Sequence, residues 1–225
     1  MIDSSFARRH LLILFLAAMG APTPLVAQAT DPDPWADAMA AFAAADQKAP
    51  PAKAGIVFVG SSSIRLWDLS ASFPGLTVIN RGFGGSQIID SVRHADLLVV
   101  KHAPRTVVLY AGDNDLFAGK SPAQVRDDFS AFVAKIRASL PETRIAFVGI
   151  KPSVARWKMI DNVREANTLI RAVCATDDRL GFIDVDGPML GYDEKPRADL
   201  FVVDGLHLSA KGYVIWTTLT RPFVE

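Results

Sequence analysis

Three consecutive serines, Ser61, Ser62 and Ser63, stand between an apolar run and a predicted helix in the segment FVGSSSIRLW. A serine hydroxyl becomes a nucleophile when a base lies within hydrogen-bond reach, an acid orients that base, and donors face the developing oxyanion. Without such partners, serines at the start of a helix serve as an N-cap. The segment therefore predicts either a nucleophile or a cap, and the other polar residues decide between them.

A base for this serine has to come from one of the four histidines. His10 precedes the N-terminal apolar run, His94 lies in the middle of a predicted helix, and His102 lies in a predicted turn. His207 differs because Asp204 precedes it by three residues, and a D-x-x-H turn lets the carboxylate hold the imidazole in one tautomer. The same pattern is also typical of an aspartate that caps a turn beside a surface histidine.

Two further segments offer hydrogen-bond donors for an oxyanion. The glycine run NRGFGGS brings Gly85 to the entrance of a predicted helix, where backbone amides bind anions. The segment YAGDNDLF adds the side-chain amide of Asn114 as a second donor. The glycines fit a tight turn or a phosphate site equally well, and Asn114 fits an Asx-type turn.

The elements that must position these residues alternate regularly along the chain. Short apolar runs predict strands buried between two helical layers: IVFVG, LTVIN, RTVVLYAG, RIAFVGI and LGFIDVD. Between them, the stretch from Ser121 to Leu140 is amphipathic, with Ser121 as N-cap and Gln124 completing a capping box. Further helices are predicted over residues 157–175 and from Ser209. The alternation predicts an α/β domain with a parallel sheet, whose ligands bind at the carboxyl ends of the strands.

Taken in chain order, the candidate residues resemble the four sequence blocks of the SGNH hydrolases, also called the GDSL esterase and lipase family. Serine follows the first strand, Gly85 the second and Asn114 the third, and the D-x-x-H turn precedes the last helix. The resemblance extends from about Ile56 to Tyr213. It implies a flavodoxin-like three-layer α/β/α sandwich with a five-stranded parallel sheet, and no metal or organic cofactor.

The resemblance also implies a role for each residue. Ser62 would be the nucleophile, His207 the base and Asp204 the acid that orients it. The oxyanion hole would consist of the backbone amides of Ser62 and Gly85 and the side chain of Asn114. The loop after the fourth strand adds two cations near the cleft, Lys151 and Arg156, which would meet a polar substrate or remain ordinary surface charges.

The chain departs from the family pattern at one position. The family's Gly-Asp-Ser block corresponds here to Gly60, Ser61 and Ser62, so a serine stands where the family has an aspartate. The departure leaves open which of Ser61, Ser62 and Ser63 attacks.

The implied reaction is hydrolysis of short-chain, acetyl-type esters, because no long apolar lid segment lies between the predicted strands. The substrate would be a small-molecule or carbohydrate ester. Two alternatives use the same fold: a non-catalytic module that binds a glycan or a partner protein, and a lysophospholipase or acyltransferase with the same site.

The N-terminal segment has the pattern of a secretory signal. Arg8 and Arg9 precede the apolar run LLILFLAAMG, and residues 27–29 have the small-x-small form of a cleavage site. The apolar run is also shorter than the roughly 20 residues that span a bilayer. We therefore predict a signal peptide over residues 1–29, an N-terminal helix and linker over 30–54, and the hydrolase domain over 55–225. The protein would be periplasmic or secreted, without a membrane span after cleavage.

Charge argues against a nucleic-acid partner, and cysteine content excludes an internal disulfide. Without residues 1–29 the chain carries 22 Lys and Arg against 23 Asp and Glu, whereas a nucleic-acid partner requires a basic surface. Cys174 is the only cysteine, so no internal disulfide can form. Its place on the apolar stripe of a predicted helix indicates a buried, unreactive thiol.

Overall fold

The five apolar runs form the five strands of one parallel sheet. They are β1 (Ile56–Gly60), β2 (Val78–Gly82), β3 (Thr106–Tyr110), β4 (Arg144–Val148) and β5 (Leu180–Ile183). Their spatial order is β2-β1-β3-β4-β5, and every neighbouring pair is parallel. This is the flavodoxin-like order of a doubly wound sheet, which confirms the predicted fold class.

The computed structural model describes residues 33–225, so the signal peptide predicted over residues 1–29 lies outside them. The α-helices of the described part are α1 (Ala36–Lys48), α2 (Ser62–Arg65), α3 (Leu69–Ser72), α4 (Ile88–Arg93), α5 (Ala95–Leu98), α6 (Asp113–Phe117), α7 (Pro122–Arg137), α8 (Ile160–Cys174) and α9 (Ala210–Val224). None of them is long and apolar enough to span a membrane.

The helices cover the sheet on both faces, because alternate residues of each strand point to opposite sides. On β1, Val57 and Val59 pack in a core with residues of α4, α5, α7 and α8. Ile56 and Phe58 pack on the other face with residues of α2, α3 and α9. All residues of β1 and β3 are buried, as the apolar runs predict. The predicted three-layer sandwich is confirmed.

The two predicted capping signals are confirmed, whereas two other helix predictions differ from the structure. Ser121 and Gln124 form the reciprocal capping box at the start of α7, and Ser209 caps α9. Helix α8 begins at Ile160, after a short 3-10 turn over Trp157–Met159. The prediction of His94 in mid-helix is wrong: its φ of −100° and ψ of 11° are not helical, so it separates α4 from α5.

Helix α1 lies within the range predicted for an N-terminal helix and packs on the sheet near the end of β2. The indole N–H of Trp35 donates to the carbonyl of Gly84 at 2.9 Å. Asp46 forms ion pairs with Arg81 and Lys101. This helix therefore supports the glycine-containing loop that follows β2.

A glycine at the end of β1 directs the chain into the serine segment. Gly60 has a φ of +130°, and a Cβ added there would lie 1.9 Å from the carbonyl oxygen of Tyr110 on β3. Only glycine fits a backbone that approaches its neighbour so closely in this conformation. The turn that follows brings Ser62 to the carboxyl end of the sheet as the first residue of α2.

Candidate active site

One of the three serines reaches a histidine. The Oγ of Ser62 lies 2.9 Å from Nε2 of His207, although the two residues are 145 positions apart. Ser61 and Ser63 are each only 1% exposed, and the Oγ of Ser63 accepts a hydrogen bond from Lys151. Ser61 occupies the N-cap position of α2 without a side-chain capping bond. Geometry thus distinguishes the three hydroxyls, among which the family resemblance implies Ser62 as the nucleophile.

A carboxylate holds the imidazole from the other side. Oδ2 of Asp204 lies 2.6 Å from Nδ1 of His207. Its Oδ1 accepts hydrogen bonds from the backbone amides of Leu206 at 2.8 Å and His207 at 2.9 Å. A carboxylate can only accept, so the proton of the neutral imidazole is on Nδ1 and Nε2 is left to accept from Ser62.

These hydrogen bonds also fix the charge of Asp204. The bond from His207, followed by the two backbone amides, lowers the pKa of Asp204 to about 2. Hydrogen bonds to the ionised form of a carboxyl group stabilise that form. Asp204 is therefore an anion next to the imidazole over the whole physiological pH range.

The predicted oxyanion donors come from three different strand ends. Ser62 opens α2, so its backbone N–H has no partner inside that helix. Gly85 follows β2 in a left-handed conformation with a φ of +79°, and no atom lies within 4 Å of a Cβ added there. Asn114 is in the first turn of α6, and its Nδ2 donates to the carbonyl of Ser86 at 3.0 Å. That bond links α6 to the loop that contains Gly85.

A buried ionic cluster lies beneath the site. The Nζ of Lys151, which follows β4, donates to the Oη of Tyr110 at 2.8 Å and to Oδ2 of Asp113 at 3.0 Å. It also lies 3.3 Å from the Oγ of Ser63. Arg156 approaches the same carboxylate, with Nη1 at 3.3 Å from Oδ2 of Asp113. The cluster connects the ends of three strands through one ammonium group.

The prediction that Lys151 would meet substrate or solvent is wrong, because the residue is only 2% exposed. Burial lowers the pKa of Lys151, against the opposing effect of Asp113. Burial alone would raise the pKa of Asp113, but the charges of Lys151 and Arg156 outweigh it and hold that pKa below its usual value. Arg156 is also largely buried, with 13% of its side chain exposed.

Two titratable residues considered in the sequence, Cys174 and His102, lie in other parts of the domain. Cys174 is buried, as predicted, and burial raises the pKa of its thiol to about 12. His102 is buried, with its Nε2 at 3.7 Å from Oδ2 of Asp46 on α1. Within residues 33–225, no group of three or more His, Cys, Asp and Glu residues is arranged to hold a metal ion.

A parallel α/β sandwich with these residues at its strand ends is typical of acyl hydrolases. The chain belongs to the GDSL-like lipase/acylhydrolase family, whose sequence model matches residues 60–215. The matched segment contains all the candidate residues: Ser62, Gly85, Asn114, Asp204 and His207. The family predicted from the four sequence blocks is thereby confirmed.

Several solved structures share the fold over most of this chain. A Streptococcus pneumonia protein named for platelet activating factor is 18% identical with a TM-score of 0.76, and the match covers 84% of this chain and 92% of that one. A GDSL-like lipase from Bacteroides thetaiotaomicron is 19% identical with a TM-score of 0.69, and the match covers 83% of this chain and 96% of that one. A variant of an acetyl-xylooligosaccharide esterase from Geobacillus is 13% identical with a TM-score of 0.62, and the match covers 77% of this chain and 95% of that one. Among curated protein sequences, none is significantly similar to this chain.

Proposed function

We propose that the protein is an exported serine esterase that hydrolyses short-chain, acetyl-type esters. The observation that carries this proposal is the unbroken hydrogen-bonded series from the Oγ of Ser62 through both ring nitrogens of His207 to Asp204, with distances of 2.9 Å and 2.6 Å. Such a series activates a hydroxyl whose own pKa is too high for it to attack an ester at neutral pH.

The reaction proceeds in two acyl transfers. The Oγ of Ser62 attacks the ester carbonyl carbon while Nε2 of His207 takes the hydroxyl proton, and Asp204 stabilises the imidazolium. The backbone amides of Ser62 and Gly85 and the Nδ2 of Asn114 hold the tetrahedral oxyanion. Collapse breaks the ester C–O bond, and His207 returns the proton to the departing alcohol. Water then attacks the acyl-enzyme with His207 as base, which releases the carboxylic acid and restores Ser62.

An acetylated carbohydrate is the substrate class that we favour. One structure with the same fold is an acetyl-xylooligosaccharide esterase, which supports a sugar ester as substrate. In the described part of the chain, the loops after the strands carry polar residues and short helical turns, with no extended apolar lid segment. An acetyl group needs little apolar surface, so these loops are sufficient for it.

A groove between α3 and α9 favours a second candidate, hydrolysis of longer acyl chains as in a lysophospholipase. Its lining includes Leu208, which follows His207, and Leu66, one helical turn after Ser62. Trp67 and Val214 continue the apolar lining. Leu66 is 48% exposed and Val214 is 65% exposed, so a longer acyl chain would cover apolar surface that is otherwise open to water.

A series of p-nitrophenyl esters tests the function and separates the two candidates. We expect the purified protein to hydrolyse the acetate and butyrate esters faster than the octanoate ester. A preference for octanoate would instead favour the second candidate. Ser62→Ala should lower kcat by at least about 10³-fold, because removal of an activated serine eliminates the covalent route.

Ser61→Ala is the matched control, since it removes a neighbouring hydroxyl that does not contact His207. It should retain activity close to that of the wild-type protein. Full activity in Ser62→Ala, or its loss in Ser61→Ala with a folded protein, would reject Ser62 as the nucleophile. Absence of hydrolysis in the wild-type protein for every ester would favour the non-catalytic module.

A further inference from the structure

The amide of Asn114 contributes to an oxyanion hole only in one of its two orientations. Its nitrogen end donates hydrogen bonds, whereas its oxygen end only accepts and would repel an oxyanion. The two ends have almost the same shape, so packing alone does not distinguish them. The protein therefore needs polar contacts that fix the amide with its nitrogen end toward the substrate.

Two contacts of opposite polarity fix this orientation. The carbonyl of Ser86, which can only accept, lies 3.0 Å from Nδ2 of Asn114. The guanidinium of Arg156, which can only donate, has its Nη2 at 3.0 Å from Oδ1 of Asn114. A flipped amide would place oxygen against the Ser86 carbonyl and NH₂ against the guanidinium, so both hydrogen bonds would be lost. One Nδ2 hydrogen is used by Ser86, which leaves the second for an oxyanion.

Arg156 is itself held in place. Its Nη1 lies 3.3 Å from Oδ2 of Asp113, and its guanidinium carbon lies 4.5 Å from the centre of the Phe117 ring. Asp113 is anchored in turn by the buried Lys151. Only 13% of the Arg156 side chain is exposed, and the guanidinium faces groups of the protein itself. These contacts hold the guanidinium of Arg156 inside the protein, next to the Asn114 amide.

We propose that Arg156 is a positioning residue that fixes the Asn114 amide with its nitrogen end toward the oxyanion. The inference rests on the proposed esterase function, because the amide orientation matters to a reaction that develops an oxyanion. Arg156 acts through Asn114 and does not itself touch the substrate. A planar guanidinium that bridges Asn114 and Asp113 suits this role, whereas a lysine ammonium is a single point charge.

A double-mutant cycle with Arg156→Met and Asn114→Ala tests the inference. Asn114→Ala alone should lower kcat on the order of 10²–10³-fold, as expected for loss of an oxyanion donor. Arg156→Met alone should lower kcat by roughly 10 to 100-fold with little change in KM, because the amide is no longer held in one orientation. Adding Arg156→Met to Asn114→Ala should lower kcat by less than about a further twofold, because the effects of residues that act through one group are not additive.

The controls separate positioning from folding and from substrate binding. Arg164→Met removes another arginine of the same region, which pairs with Asp186 and lies over the Trp157 ring without contacting Asn114. It should leave kcat unchanged. Arg156→Lys should recover part of the activity at most. Rates are expressed per active site titrated with a fluorophosphonate, so that loss of folded protein does not count as loss of kcat.

The inference would be overturned if the losses of kcat from the two substitutions multiply in the double mutant. It would also be overturned if the main effect of Arg156→Met is a rise in KM. Either outcome would leave the proposed esterase function intact. If the wild-type protein hydrolyses no ester, the side-chain amide of Asn114 still reports the contact by ¹⁵N NMR. Its signals, assigned by their absence in Asn114→Ala, should shift and exchange faster with water in Arg156→Met than in Arg164→Met. Unchanged signals would overturn the inference independently of activity.

Discussion

Asp204 keeps its negative charge in acid. The hydrogen bond from His207 and the two backbone amides lower the pKa of Asp204 to about 2. A group with a lowered pKa stays ionised as the pH falls, until the pH approaches that pKa. The carboxylate therefore keeps its charge through the entire range in which an esterase is assayed.

The first prediction concerns the pH dependence of kcat/KM. Because the pKa of Asp204 is about 2, its carboxylate stays ionised between pH 8 and pH 4 and takes up no proton in that range. We therefore expect Asp204 to add no step to the profile, so that any decline of log kcat/KM for p-nitrophenyl acetate over this range has a limiting slope no greater than one. A slope of two, from two protons, would contradict the lowered pKa of Asp204. A buffer series at constant ionic strength provides the measurement.

At the scale of elements, the sequence predicts the framework well because its signals are local. Five apolar runs gave the five strands, and the Ser121 and Gln124 pattern placed the start of α7. The candidate residues stood out from local signals, since each lies after a strand or in the D-x-x-H turn, and the family resemblance then assigned their roles. The parallel topology then brings these strand ends to one edge of the sheet.

The buried ionic cluster could not be predicted in this way. Lysine is almost never fully buried unless it is paired, so the sequence favoured a surface position for Lys151. Its partner Asp113 lies 38 residues earlier, and the hydroxyl of Tyr110 lies 41 residues earlier. Only the pairing of β3 with β4 brings these residues together. The support for Asn114 from Arg156 was missed for the same reason, because 42 residues separate them.

A second prediction concerns the stability contributed by this cluster. Lys151→Met should lower the free energy of unfolding by about 3–5 kcal/mol, because it leaves the buried Asp113 carboxylate without one of its two cations. Lys135→Met is the matched control, since Lys135 pairs with Asp96 at a surface position where the carboxylate is 71% exposed. An exposed pair of this kind contributes about 0–1 kcal/mol. Urea unfolding of the two variants supplies the comparison, and equal losses would argue against a stabilising role for Lys151.

At the scale of the whole molecule, the strand order explains where the site lies. The chain passes from β1 to β2 on one side and reaches β3 on the other side of β1. The connections after β1 and β3 therefore diverge, which opens a crevice at their carboxyl ends. Ser62 follows β1 and Asn114 follows β3, so the proposed nucleophile and the proposed oxyanion donor lie on the two walls of that crevice. The D-x-x-H turn before α9 then completes the site from the far end of the sequence.

The last prediction concerns export of the molecule. Cleavage after residue 29 would leave α1 intact, together with the hydrogen bond from Trp35 to Gly84 that supports the loop of Gly85. We therefore expect the full chain, expressed in a bacterium with its own N-terminus, to be recovered from the periplasm or medium with Thr30 as its first residue. Mass spectrometry of the intact protein measures this. Ala29→Arg should block cleavage, because the cleavage site requires a small residue at this position. Recovery of the uncleaved chain from the cytoplasm, or unchanged processing of Ala29→Arg, would contradict the predicted signal peptide.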